Sequence, residues 1–392
     1  MRDPVFLPGR RPGLAIIVWL AGCSLLPVAS PSGDRRSETL ERPWNFVVVL
    51  ADDLGATDLG CTGSPFYETP HLDRLAADGM KFTAAYSACT VCSPTRASLL
   101  TGQYPARLHL TDWIAGHHRP HAKLRVPEWT QHLPREIPNL ARRLKEAGYA
   151  TASIGKWHLG GPEFYPEKQG FDVNLAGTER GQPPSYFSPY GIATLLDGPP
   201  GEFLTDRECA EACRFIEHHR ARPFFVYLPH HAVHTPLAGK PEVIVKYERK
   251  ARALGEPQRN AVYAALVESV DDSIGRLRRT LAELGLANRT VIVFTSDNGG
   301  LLGGPQRPVT HNLGLRAGKG SPYEGGVRVP LIVLWPGVTR PGSTCRVPVI
   351  TPDLYPEKLS SKEIVLLEGF GEDGVRYENP IPDPEQNEAP SL

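Results

Sequence analysis

The chain has 392 residues, 41% hydrophobic and 22% charged, the composition of a globular protein with room for one large domain or two smaller ones, and not of a disordered chain. Its 43 Lys and Arg balance 43 Asp and Glu, which excludes a whole-chain basic field for nucleic acid and an acidic one for basic partners. Charge selectivity has to be local, and seven cysteines spread over this length do not make a small disulfide-stapled scaffold.

Arg10 and Arg11 precede the apolar run Leu14 to Leu20, which ends in small residues, so segment 1–22 has the form of an export signal. The run is too short to span a bilayer, which takes roughly 20 apolar residues. Leu20-Ala21-Gly22-Cys23 resembles a bacterial lipobox, in which the cysteine becomes a lipidated N-terminus. Ordinary cleavage near Val28-Ala29-Ser30 is the alternative. Either way the mature chain is expected to be exported, periplasmic or envelope-associated, with membrane attachment through Cys23 in the lipidated case. Residues 23–43 read as a polar linker. Cys61, Cys89, Cys209, Cys213 and Cys345 have no pairing legible in the sequence.

Asn45 to Leu50 is an apolar, valine-rich run that ends in Ala51-Asp52-Asp53, which predicts a strand buried on both faces with two carboxylates at its carboxyl end. Ile137 to Ala147 has helical periodicity with Gly148 as its stop, and Tyr149 to Ile154 reads as a second strand before Gly155-Lys156. The stretch 181–201, rich in Pro, Gly, Ser and Tyr, reads as an extended loop beside the site. Phe224 to Leu228 is a third strand, followed by a histidine-rich loop; Asn260 to Leu284 is a long amphipathic helix. Thr290 to Thr295 is a fourth strand that runs into Ser296-Asp297-Asn298, and Val329 to Trp335 a fifth. Strands alternating with helices predict an α/β fold with a mostly parallel sheet covered on both faces, whose ligands gather beyond the carboxyl ends of the strands.

Asp52 and Asp53 alone would read equally well as a turn or helix cap. The same pattern of apolar strand followed by oxygen donors at Asp297 and Asn298 favours a metal site, and hard oxygen donors suit calcium or magnesium better than zinc. Cys89-Thr90-Val91-Cys92 spells a C-x-x-C, but nothing else resembles the small thioredoxin-like domain in which that motif does redox work.

Cys92-Ser93-Pro94-Thr95-Arg96-Ala97-Ser98-Leu99-Leu100-Thr101-Gly102 resembles the signature of type I sulfatases, in which Cys-x-Pro-x-Arg marks the cysteine that a formylglycine-generating enzyme oxidises. Gly155-Lys156-Trp157-His158-Leu159-Gly160 looks like the family's second signature, and the resemblance extends in order from Asn45 to Pro356. It implies an alkaline-phosphatase-like α/β fold, a catalytic domain over 44–356, and a formylglycine made from Cys92. A hydrated aldehyde offers one hydroxyl to attack sulfur and a second to expel sulfate. Asp52, Asp53, Asp297 and Asn298 would bind one Ca2+ together with the residue made from Cys92. Arg96 would hold the formylglycine and metal-bound oxygens, and Lys156 would act as a further cation. His158 is the expected base for the second hydroxyl, His234 the expected proton donor to the leaving alcohol, and Lys319 the lysine that grips the sulfate. Trp157 reads as packing, and His230 and His231 as ordinary loop histidines.

The implied reaction is hydrolysis of a sulfated carbohydrate or an aryl sulfate. Two alternatives stand beside it: phosphodiester or phosphonate monoester hydrolysis by the same nucleophile, and an inactive protein that only binds sulfated glycans. Residues 357–392, acidic and proline-rich, stand where the family has an antiparallel-sheet subdomain, so a truncated subdomain and a disordered tail are expected.

Overall fold

The computed structural model describes residues 43–117, 121, 123–256, 259–304, 307–355, 358–359 and 364–365. The segment 1–22 read as an export signal, nearly all of the expected linker and most of the acidic tail lie outside them. Of the tail, Lys358–Leu359 pairs antiparallel with Ile364–Val365.

An eight-stranded sheet organises the chain: β1 (Asn45–Ala51), β2 (Met80–Phe82), β3 (Ala150–Ile154), β4 (Val173–Leu175), β5 (Phe224–Pro229), β6 (Thr290–Ser296), β7 (Leu331–Leu334) and β8 (Ser343–Cys345). The spatial order is β8-β2-β7-β6-β1-β5-β3-β4. The central run from β6 to β4 is parallel throughout, while β7 is antiparallel to both β6 and β2. The flanking helices are α1 (Pro70–Asp78), α2 (Cys92–Thr101), α3 (Leu140–Glu146), α4 (Leu204–His219), α5 (Pro241–Ala253) and α6 (Ala261–Glu283). No helix among the described residues is long and apolar enough to cross a membrane.

Successive residues of a strand face opposite sides of the sheet, so a continuous apolar run supplies two cores. Val47, Val49, Val226, Leu228, Ile292 and Phe294 pack on one face with residues of α1, α4, α5 and α6, such as Leu72, Phe215, Tyr247 and Leu266. Phe46, Leu50, Phe225, Tyr227, Val291 and Val293 pack on the other with Leu99 and Leu100 of α2 and Leu140 and Leu144 of α3.

The expected helix from Ile137 starts three residues later, at Leu140. Pro138 precedes it, and the side chain of Asn139 accepts the backbone N–H of Arg142 as a cap. Asn260 caps α6 in the same way, accepting from Val262 and Tyr263. The stretch 181–201 contains no helix, but Tyr186, Tyr190, Ile192 and Leu195 are buried, so it packs as part of the core.

Register places the site. Leu50 of β1 lies beside Pro229 of β5 and Thr295 of β6, so these carboxyl ends finish level with one another. β3 joins them through Gly155, whose φ of +122° and close approach to Pro229 leave no room for a side chain: a Cβ there would lie 2.0 Å from the Pro229 carbonyl oxygen. At Gly148 φ is also positive, but the space is open. Gly148→Ala is therefore expected to cost only the left-handed strain, about 1 kcal/mol. Gly155→Ala should cost clearly more, since backbone must also move; urea unfolding of the two variants against the native protein measures the difference.

Candidate active site

Four strand ends deliver side chains to one place. β1 gives Asp52 and Asp53, β3 gives Lys156 and then His158, β5 gives His230, His231 and His234, and β6 gives Asp297 and Asn298. From the other side, α2 begins at Cys92 and carries Arg96 one turn later, and all ten of its residues are buried. Lys319 is brought in by its loop, whose Gly320 N–H donates to the Thr90 carbonyl at 2.9 Å and whose Lys319 N–H donates to Gly300 at 3.1 Å. All ten residues expected from the sequence thus meet in one region.

Three carboxylates and three cations are interleaved there. Lys156 Nζ lies 2.7 Å from Asp52 Oδ2, both fully buried. Arg96 donates from Nε to Asp297 Oδ2 at 2.9 Å, places Nη2 2.7 Å from the same oxygen, and donates from Nη1 to the Lys156 carbonyl at 3.0 Å. Lys319 Nζ lies 2.8 and 2.9 Å from the two oxygens of Asp53, and 3.0 Å from His234 Nε2. Asn298 Nδ2 donates to Asp53 Oδ1 at 2.8 Å. Lys319, expected on the sulfate, thus rests on Asp53. Burial opposes ionisation of Asp53, but Lys319, His234 and Lys156 outweigh it and hold that carboxyl well below the usual range.

The remaining oxygens have the features of a metal cradle. Asp52 Oδ1 and Asn298 Oδ1 are buried and engage no hydrogen bond. Ligand atoms of Asp52, Cys92 and Asp297 all lie within 4.8 Å of one another, as do those of Asp52, Asp53 and His234. Burial pushes Asp297 up to about 6, with the charge of Asp52 adding to the effect and Arg96 and Lys156 opposing it. Buried oxygens without a hydrogen bond, that of Asp52 meeting only Arg96 Nη2 at 3.5 Å, beside a carboxylate that is hard to ionise fit a hard divalent cation, and an oxygen-rich donor set suits calcium or magnesium.

The histidines are held in defined tautomers. His158, at a φ of +57°, directs Nε2 to the Ile114 carbonyl, so that nitrogen carries the proton while Nδ1 is buried without a partner. Burial, reinforced by Lys156, holds His158 well below its usual pKa, so it is neutral. His234 donates from Nδ1 to the Thr235 carbonyl at 2.6 Å, which leaves Nε2 to accept from Lys319. Burial, with Lys156 and Lys319 adding to it and Asp53 opposing, pushes His234 down to about 4.

Cys92 is 3% exposed and lies on a cavity of about 320 Å³ that His158, His234 and Lys319 also line. Burial raises the Cys92 thiol despite Lys156 and Lys319, and raises that of Cys89 as well. A redox pair needs a depressed thiol, so the C-x-x-C lacks the electrostatics of thiol–disulfide exchange.

His230 and His231 correct the sequence expectation: they are 0% and 2% exposed rather than ordinary loop positions. Glu208 of α4, itself fully buried, takes His230 Nδ1 at 2.7 Å and His231 Nδ1 at 2.6 Å, and His230 Nε2 meets Ser273 Oγ at 2.8 Å. The Tyr186 hydroxyl lies 2.7 Å from the His231 carbonyl and 2.9 Å from that of His234, tying down the same loop. Sequence reasoning missed Glu208. Its only signal was a carboxylate on the apolar face of a helix, between Thr205 and Cys209.

The sequence profile of the Sulfatase family matches residues 44–360, and the chain belongs to that family, with its alkaline-phosphatase-like α/β fold. It is 36% identical over 364 residues to N-acetylgalactosamine-6-sulfatase of Rattus norvegicus, covering 86% of this chain and 65% of that protein. It is 33% identical to arylsulfatase A of Homo sapiens, covering 77% and 61%. The chain thus spans about 65% of the first relative and 61% of the second. Among solved structures it is similar to Ps i-CgsB in complex with k-i-k-neocarrahexaose, at a TM-score of 0.67 and 32% identity over 80% of this chain and 71% of that one. The phosphonate monoester hydrolase of Agrobacterium radiobacter, at 19% identity and a TM-score of 0.56 over 80% and 72%, shares the fold alone.

Burial opposes ionisation of Glu208, yet His231 and His230 hold its carboxyl below the ordinary 4.5. A depressed folded pKa means its stabilisation is complete above about pH 4.5 and is lost as pH falls through the folded value. Glu208→Gln is expected to lose about 2–4 kcal/mol at pH 7. The gap between variant and native protein should narrow below pH 4.5, as urea unfolding across pH will show.

Proposed function

We propose that the protein hydrolyses sulfate monoesters of carbohydrates or small aryl alcohols, after an exported chain has had Cys92 converted to formylglycine by a formylglycine-generating enzyme. The observation that carries this reading is the placement of Cys92 at the start of α2, on a cavity that His158, His234 and Lys319 also line, with its Sγ within 4.8 Å of carboxylate oxygens of Asp52 and Asp297, which Lys156 and Arg96 hold. Similarity to N-acetylgalactosamine-6-sulfatase and arylsulfatase A supports both substrate groups.

Asp52, Asp53, Asp297 and Asn298 would hold one calcium ion, with the residue made from Cys92 as a further ligand. Bound there, calcium supplies a Lewis acid that makes a hydroxyl acidic near neutral pH, and formylglycine hydrate supplies the attacking hydroxyl and the second one that expels sulfate. The chain's own residues do the rest. Arg96 and Lys156 fix Asp297 and Asp52 in place, and with Lys319 they provide positive charge towards the sulfate oxygens. Lys319 donates to His234 Nε2 at 3.0 Å, a contact along which a proton can pass to His234 and from it to the leaving oxygen as charge builds there. His158 is neutral with Nδ1 unpartnered, the state required of a base that takes the proton of the second hydroxyl.

Two measurements test the reading. The mass of the peptide containing Cys92, from protein matured in its native host, is expected to show thiol-to-aldehyde conversion. Matured protein should hydrolyse 4-nitrophenyl sulfate far faster than the matched phosphate ester, and Cys92→Ala should lower turnover on the order of 10⁴-fold or more. An intact thiol in exported protein, or phosphate ester turned over faster, sinks the proposal.

Calcium gives an independent readout. At a hundredfold excess over its Kd it should stabilise the fold by about 2.7 kcal/mol. Asp297→Asn should abolish that gain, and chelation should remove it from native protein, both read by thermal unfolding.

A further inference from the structure

Four residues of the 320 Å³ cavity, Cys92, His158, His234 and Lys319, are accounted for by the chemistry proposed above. Two others that line it, Trp113 and His117, are not. We propose that Trp113 and His117 form the subsite for the sugar ring that carries the sulfate. Trp113 offers the ring an apolar face, and His117 Nε2 exchanges a hydrogen bond with one of its hydroxyls. The inference rests on the sulfatase reading and specifies its substrate.

The segment bearing both residues is pinned over the reacting atoms at two points. The Ile114 N–H donates to Ser93 Oγ at 3.2 Å, next to Cys92, and the Ile114 carbonyl takes His158 Nε2. Burial grades the cavity by depth. Cys92 and His158 are 3% and 1% exposed, whereas the side chain of His117 is 40% exposed. A sulfate at Cys92 therefore sends the group attached to it outward, past Trp113 and His117.

His117 is preorganised for this contact. Asp112 Oδ1 accepts the Trp113 N–H at 2.8 Å, and its Oδ2 lies 2.8 Å from His117 Nδ1. The Trp113 indole Nε1–H reaches the same Nδ1 at 3.2 Å, so that nitrogen is occupied from within the segment, whereas no described residue engages Nε2. The Trp113 indole stands edge-on to His117, with ring centroids 5.7 Å apart, and tilted against His158 at 6.5 Å. An indole face beside a ring nitrogen held in place suits a pyranose, which pairs an apolar C–H face with hydroxyls, donors and acceptors both, at its rim. An aryl sulfate uses the aromatic face and has no hydroxyl for His117.

The test compares kcat/KM of matured protein for a sulfated N-acetylhexosamine monosaccharide and for 4-nitrophenyl sulfate. His117→Ala should lower the sugar-to-aryl ratio about tenfold, and Asp112→Asn should shift it in the same direction. Trp113→Ala should raise KM for both esters, with Trp113→Phe restoring most of it. A sugar-to-aryl ratio unchanged in His117→Ala overturns the subsite while leaving the sulfatase reading intact. If native protein turns over neither ester, that reading fails first, and calorimetry of the monosaccharide on Cys92→Ala protein decides the subsite: weaker binding after adding His117→Ala supports it, and equal binding overturns it.

Discussion

The structure depends on six charges held in one largely water-excluded cluster. Arg96, Lys156, Asp52 and Asp297 have side chains with no exposure, and Asp53 and Lys319 close the set at 1% and 16%. Such a cluster is a poor way to stabilise a fold, because desolvation offsets most of the attraction and well-packed apolar residues would serve as well. Its retention inside an otherwise apolar sheet protein points to chemistry. Removing any one of the fully buried members would strand an opposite charge in low-dielectric surroundings, so the members act as a unit.

Level strand ends make the cluster affordable to build. Ala51 pairs with Ser296, and Leu50 with Pro229, so the residues that follow emerge side by side with their backbones already bonded: the Asp52 N–H donates to the Ala232 carbonyl, and the Asp297 N–H to that of Ala51. The remaining freedom is taken up by less obvious groups. Glu208 and Tyr186 hold the loop that carries His234. The Ile114 carbonyl sets the tautomer of His158. Each acts through a reacting residue.

What was legible in the sequence follows from the same division. Runs such as 45–51 and 290–296 are apolar without interruption and end in carboxylates, so both the buried strands and the ligands at their ends could be read directly. The ten site residues lie in short segments whose local pattern carries them. Glu208, Tyr186, Trp113 and His117 escaped because their roles depend on contacts across the chain: Glu208 meets a histidine 23 positions away, and Tyr186 a carbonyl 45 away. Short strands were missed for a related reason. Met80–Phe82 and Ser343–Cys345 are three residues each, too brief for a period-2 signal, and exist because the sheet edge completes their hydrogen bonds.

Charge arithmetic then bears on what the site accepts. Asp52, Asp53 and Asp297 against Arg96, Lys156 and Lys319 sum to zero, and burial, with the charge of Asp52 beside it, pushes Asp297 up even against Arg96 and Lys156. On the proposed reading a divalent cation brings +2 and a sulfate monoester −1. One unit of positive charge is then left to meet the negative charge that develops during the reaction. A phosphate monoester, dianionic at neutral pH, would consume that surplus on binding and leave nothing for the transition state. Because only interactions that strengthen on the way to the transition state accelerate the chemical step, the balance favours singly charged esters. Selectivity for sulfate over phosphate would then be a property of the whole cluster, set by its net charge more than by any contact to the anion's oxygens.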